Sequence, residues 1–127
     1  MENATLKVNG NAIFINGANT PWNNWNDFGG SYNSGWYDNE FSRIKNAGGN
    51  ATRIWITCIG EVGINIDSSG YVSGATQAHW DNLADMFQLA QKNQIYILAC
   101  RGVHYSIFVP GLLPLSIITV MFLLLSE

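Results

Sequence analysis

Short apolar runs alternate with stripes of helical spacing in the order strand, helix, strand, helix, strand, and this predicts an α/β fold with parallel strands. Right-handed crossovers are the expected connections. Long glycine-rich loops follow the strands, whereas the helix-to-strand turns, at residues 48–50 and 93–94, are short. That asymmetry concentrates function at the C-terminal ends of the strands, as in a (β/α)8 barrel and equally in doubly wound sheets. No Gly-x-Gly-x-x-Gly follows the first strand, and Gly29-Gly30-Ser31-Tyr32 does not supply one, which weighs against a dinucleotide site.

The elements follow from local patterns. Leu6 and Val8 alternate with polar residues, Asn9-Gly10 follows, and residues 12–15 resume the apolar run. Asn-Gly between two such runs is a hairpin signal, because both residues tolerate positive φ. The second run continues to Ala18 as a strand and breaks at Asn19-Thr20-Pro21. A loop over residues 21–35 comes next. Tyr37, Phe41, Ile44 and Ala47 then follow helical spacing, with Ser34 as the expected cap and Gly48-Gly49 as the stop. Residues 51–56 read as a strand apolar enough to be buried on both faces. Residues 58–74 form a second glycine-rich loop. Trp80, Leu83, Ala84, Phe87 and Ala90 make a helical stripe over residues 76–92, and residues 95–99 form the next strand.

The 127 residues fit one small domain with a formal charge of -3. Six Lys and Arg among nine acids form no basic patch, which argues against a nucleic-acid partner. The aromatics cluster between Trp22 and Tyr37 beside Asn, Gly and Ser. A tryptophan-rich core is one reading. A sugar cleft is the other, since flat apolar faces for pyranose rings with amides and hydroxyls for their oxygens need this mixture. Cys58 and Cys100 fit no metal spacing; a bridge between neighbouring strand ends is conceivable, and two buried free thiols are the preferred reading. No metal or cofactor is expected. Sequons stand at Asn3 and Asn50, the second just before a buried strand and so doubtful as a glycan acceptor. Residues 1–10 contain no apolar signal-peptide region.

Leu6-Lys7-Val8-Asn9-Gly10 leading to Phe14-Ile15-Asn16-Gly17-Ala18-Asn19 resembles the start of glycoside hydrolase family five barrels, most closely the endo-β-1,4-mannanase-like members. Ala47-Gly48-Gly49-Asn50-Ala51-Thr52-Arg53-Ile54-Trp55 resembles the approach to that family's second strand. The likeness runs over residues 6–99, about the first third of a full barrel. It implies the first part of a (β/α)8 TIM barrel, an N-terminal hairpin plus about three βα units over residues 5–100, then a divergent apolar tail over residues 101–127. It also implies a secreted retaining glycosidase acting on mannan or a related β-1,4-linked polysaccharide. In the family, the position of Arg53 hydrogen-bonds the nucleophilic glutamate and orients it. Arg53 also stands out by itself, as a permanent charge in an apolar strand with no acid nearby in sequence. Trp55 faces the same side, lining the cleft or packing in the core. Trp22 and Trp25 are candidates for stacking on sugar, or for packing their own loop.

The resemblance stops after Ala99. The family's acid/base and nucleophile come from strands four and seven, so Glu61 inherits neither role, and His104 inherits none either. No Asn-Glu segment appears, and the only acid after Arg101 is Glu127. Retaining glycosidases hold two carboxyls about 5–5.5 Å apart, so no catalytic residue is expected beyond Arg53 and the chain is expected to be inactive. Residues 106–126 carry no charge, but Pro110, Gly111 and Pro114 interrupt the run, which is short of the roughly eighteen residues that span a membrane. The tail reads as a membrane anchor through residues 107–125 or as sequence from a misread exon, intron or frame, and the abrupt loss of likeness favours the latter. Three functions follow: a mannan hydrolase, a non-catalytic sugar-binding remnant, or a membrane-tethered or non-functional fragment.

Overall fold

The computed structural model describes residues 6–25, 27–57 and 62–101. Asn9 and Gly10 hold φ angles of 50° and 79°, as a type I′ turn demands. They close an antiparallel hairpin of β1 (Lys7–Val8) and β2 (Asn11–Ala12), with Lys7 opposite Ala12. The run does not continue unbroken to Ala18. Residues 13–16 are irregular, and β3 spans only Gly17–Asn19. Asn50 accounts for the break: its side-chain amide donates to the Phe14 carbonyl at 2.8 Å, and its oxygen accepts the Asn16 N–H at 2.8 Å. With both ends of its amide engaged, Asn50 is a poor glycan acceptor.

Helix α1 (Ser34–Asn46) starts one residue earlier than its expected cap implies. Asn33, not Ser34, is the N-cap, and its side-chain oxygen accepts the Trp36 N–H at 2.9 Å. At the other end Gly48 takes a φ of 84°, the Gly49 N–H reaches the Ile44 carbonyl at 2.9 Å, and the Gly48 N–H reaches that of Lys45 at 3.0 Å. These are the two bonds of a Schellman motif, and glycine at its left-handed position carries no Cβ penalty. Strand β4 (Ala51–Thr57) follows.

The second loop is not all irregular. β5 (Ile64–Ile66) and β6 (Val72–Ala75) form an antiparallel hairpin, and the Asp67 Oδ1 accepts the N–H groups of Ser69 and Tyr71 at 2.9 Å. Helix α2 (Gln77–Lys92) is capped by Thr76 and ends in a second Schellman pair, Ile95 N–H to Ala90 and Gln94 N–H to Gln91. Strand β7 (Tyr96–Arg101) completes a parallel sheet in the order β3-β4-β7, with Ala18 opposite Thr52 and Arg53 opposite Leu98.

The helices neighbour one another, joined where Asp38 accepts from Lys92 Nζ and Asn93 Nδ2, both at 2.8 Å. Tyr37, Phe41 and Ile44 of α1 and Met86 and Ala90 of α2 pack with Phe28, Ile54, Ile95 and Ile97 in one core. Each fully buried side chain of this size contributes about 1.5–3 kcal/mol through the area it removes from water. The expectation that β4 is buried on both faces holds only in part among the described residues, since Ala51 is buried and Trp55 half-buried on the face that also carries Arg53. Thr52 and Ile54 are buried, whereas Arg53, pointing the opposite way, is exposed. The stripe of α2 is also rotated from its expected position. His79, Met86 and Ala90 are buried, Leu83 and Phe87 partly so, and Trp80 and Ala84 are exposed. Hydrophobicity alone misplaced the face, because polar Asn82 and Asp85 are drawn inward by hydrogen bonds to Phe28 and Tyr32. No described helix is long and apolar enough to cross a membrane. The apolar tail, including residues 107–125 and His104, lies outside the described residues, as do Asn3, Cys58 and Glu61.

Candidate functional site

Parallel pairing of β3 with β4 extends beyond Asn19. The Thr20 N–H donates to the Arg53 carbonyl at 3.1 Å, and the Trp55 N–H to that of Pro21 at 2.9 Å. The Thr20 and Thr52 hydroxyls also bond each other. This lengthened seam delivers the loop after β3 to the C-terminal half of β4. Trp22 therefore lies edge-on to Trp55, with ring centroids 5.6 Å apart, and edge-on to Trp25 at 5.0 Å. Such geometries suit the ring quadrupoles and are worth about 0.5–1.5 kcal/mol per pair beyond area burial.

Arg53 joins the same cluster. Its guanidinium carbon lies 5.2 Å from the centroid of the Trp55 ring, within cation–π range. Its Nε donates to the Cys100 Sγ at 3.3 Å, across the β4–β7 seam where Trp55 stands opposite Cys100. Cys100 is a free thiol. The ion pairs of the described residues are Arg43–Glu40 and Lys92–Asp38, so Arg53 pairs with no carboxylate among them. The four residues singled out in the sequence, Trp22, Trp25, Arg53 and Trp55, thus come together at one end of the sheet. Trp25 is 52% exposed, enough to present a face to solvent, whereas Trp22 and Trp55 are half-buried. The indole Nε1 of Trp55 is buried without a hydrogen-bond partner among the described residues, a state that costs about 1–3 kcal/mol.

Behind the tryptophans lies a residue that the sequence reading missed. Asp27 opens a single π-type turn, Asp27–Ser31, and is only 4% exposed. Its Oδ2 accepts the Asn23 N–H at 2.6 Å and the Tyr37 hydroxyl at 2.7 Å, and its Oδ1 accepts the Asn24 N–H at 2.7 Å. The available signal was that Asp27 is the only acid between Glu2 and Asp38. The turn continues into Phe28, which is in the core, so the aromatic stretch is divided: Phe28 and Tyr37 are buried, while Trp22 and Trp25 face the strand ends. A Cβ on Gly29 would come within 1.9 Å of the Val62 carbonyl oxygen, so this backbone contact with the second loop requires glycine. Burial and the Asp85 carboxylate that accepts its hydrogen bond push the Tyr32 phenol well above its ordinary value, and it stays protonated. Among the described residues no three His, Cys, Asp or Glu side chains gather as a metal site.

No family model matches the chain. It is 34% identical over 96 residues to a mannan endo-1,4-beta-mannosidase of Mytilus edulis, covering 72% of this chain and 26% of that protein. The fold superposes on the crystal structure of the endo-1,4-beta-mannanase from Eisenia fetida with a TM-score of 0.68 at 30% identity, covering 80% of this chain and 30% of that one. For the beta-mannanase of the blue mussel Mytilus edulis the TM-score is 0.69 at 31% identity, covering 77% and 29%. The chain is mannanase-like. The resemblance to family five mannanases is therefore matched by mannanase relatives in both sequence and structure. This mannanase-like chain spans about a quarter of the length of the curated relatives it matches.

Proposed function

We propose that the described residues are the hairpin and first βαβαβ segment of a (β/α)8 glycosidase barrel, and that they bind β-1,4-linked mannan at the C-terminal end of the sheet. The observation that carries this reading is the convergence of Trp22, Trp25, Trp55 and Arg53 at the ends of β3 and β4. Trp25 presents an exposed ring for a pyranose, Trp22 and Trp55 back it, and Arg53 supplies a fixed positive charge beside it. In the complete enzyme Arg53 would orient an ionised carboxylate nucleophile. Its guanidinium is held by Trp55 on one side and Cys100 on the other, and it has no carboxylate partner among the described residues.

The 127 residues by themselves bind without cleaving, because Arg53 contributes orientation but neither a nucleophile nor a proton donor. Depletion by insoluble mannan and reducing-sugar release test both parts. The chain is expected to be retained on mannan, and Trp25→Ala is expected to weaken retention about tenfold, ~1.4 kcal/mol. No retention overturns the binding site, and sugar release above a buffer control overturns the absence of hydrolysis.

A further inference from the structure

We propose that Asp27 is the positioning residue of the aromatic site, acting through the backbone amides of Asn23 and Asn24 to set the Trp22 and Trp25 rings. The inference rests on the sugar-binding reading of those rings, but its geometry stands independently. The two amides that Asp27 holds lie directly between the two tryptophans in sequence, so whatever fixes Asn23 and Asn24 also fixes the chain on either side. The carboxylate is itself anchored. It is 4% exposed, takes a third bond from the hydroxyl of the fully buried Tyr37, and enters no ion pair among the described residues.

A buried carboxylate without a cation persists only where donors satisfy its oxygens, and three short charge-assisted bonds do so here. The arrangement requires an acceptor on both oxygens. An asparagine would turn an NH2 group toward the Asn24 N–H or toward the Asn23 N–H, setting donor against donor at one of the two backbone amides. A glutamate would carry an extra methylene into a closed space. Asp27 therefore links the core, through Tyr37 of α1, to the loop that carries the tryptophans. Tyr32 provides the contrast: it stacks on Tyr37 at 5.2 Å and its hydroxyl donates to Asp85 on α2, and among the described residues it makes no hydrogen bond to Asn23 or Asn24.

The test uses the full 127-residue chain with Asp27→Asn, Tyr37→Phe and, as a control for general loosening, Tyr32→Phe. Near-UV circular dichroism of the coupled tryptophans, recorded well below the unfolding temperature, reads loop geometry without any ligand. Titration with a β-1,4-linked mannohexaose reads binding. Asp27→Asn and Tyr37→Phe are expected to diminish the tryptophan signal and weaken mannohexaose about tenfold while the far-UV spectrum is kept. Tyr32→Phe is expected to lower the melting temperature and leave signal and affinity unchanged. If Asp27→Asn does not fold, Tyr37→Phe decides. A wild-type tryptophan signal in Tyr37→Phe overturns the proposal, and so does an equal loss of signal in Tyr32→Phe. If the wild-type chain fails to bind mannohexaose, the sugar-binding reading falls, while the spectral comparison still decides the role of Asp27.

Discussion

Gln94 holds a φ of 57° at the left-handed position that closes α2, where α1 uses Gly48. A side chain there costs roughly 1–2 kcal/mol, part of which glycine recovers against its own greater entropy loss on folding. Gln94→Gly is therefore expected to stabilise the chain by about 0.5–1 kcal/mol, measured as a higher urea midpoint with an unchanged slope. His79 is 2% exposed, its Nδ1 has no partner among the described residues, and burial lowers its pKa from the ordinary 6.5. The folded state then binds fewer protons than the unfolded one around this pH. Stability is complete above about 6.5, falls as pH drops through that value toward the lower folded pKa, and levels below it. Urea midpoints taken from pH 7.5 to 5 are expected to show this fall in the wild type. A His79→Phe variant is expected to lose that component, and an unaltered pH profile would assign the dependence to another group. Asp38 acts lower on the scale. Its hydrogen bond from Lys92, then that from Asn93, depress its pKa below 3.8, so its contribution is present above that value and lost only in stronger acid.

The beginnings of the helices show how closely spaced candidates are separated. Asn33 and Ser34 are both good capping residues, and only Asn33 has the extended backbone, φ -128° and ψ 94°, and the bond to Trp36 N–H. Asn33→Ala is expected to cost about 1 kcal/mol and Ser34→Ala less than about half that, by denaturant unfolding. The reverse order would return the cap to Ser34. The β5–β6 hairpin was hidden for a comparable reason. Ile64-Asn65-Ile66 and Tyr71-Val72 bracket an Asp-Ser-Ser-Gly turn, but Ile66, Tyr71 and Val72 are exposed, so no buried alternating face marked the strands.

At the scale of the molecule, β3 and β7 flank the sheet, and each has one edge without a strand partner among the described residues. Unpaired strand edges are templates for association. The side of the sheet that bears Arg53 and Trp55 has no helix of the described residues packed against it, as both helices lie with Ile54 and Ile97. The purified 127-residue chain is expected to self-associate in sedimentation velocity and to unfold over a broad range in calorimetry. A monomer with one sharp transition would overturn this expectation.

The sequence by itself determined the elements whose causes are local. Asn9-Gly10 sets its hairpin through positive φ, Gly48-Gly49 ends α1 through the left-handed position, and the apolar spacing of Tyr37, Phe41 and Ile44 selects the inward face of α1. The candidate site was legible to the same extent. Arg53 was conspicuous as a charge in an apolar strand, and a period of two placed Trp55 beside it. Only the tertiary structure decided the rest, because each remaining feature depends on a partner distant in sequence. Asn50 reaches back to residues 14 and 16 and shortens β3, while Asn82 and Asp85 turn a polar flank of α2 inward. Asp27 joins the core to the tryptophan loop through bonds on both sides of its carboxylate. A hydropathy pattern registers whether a side chain avoids water, but a buried polar group is stabilised by the particular donors and acceptors that the folded chain brings to it.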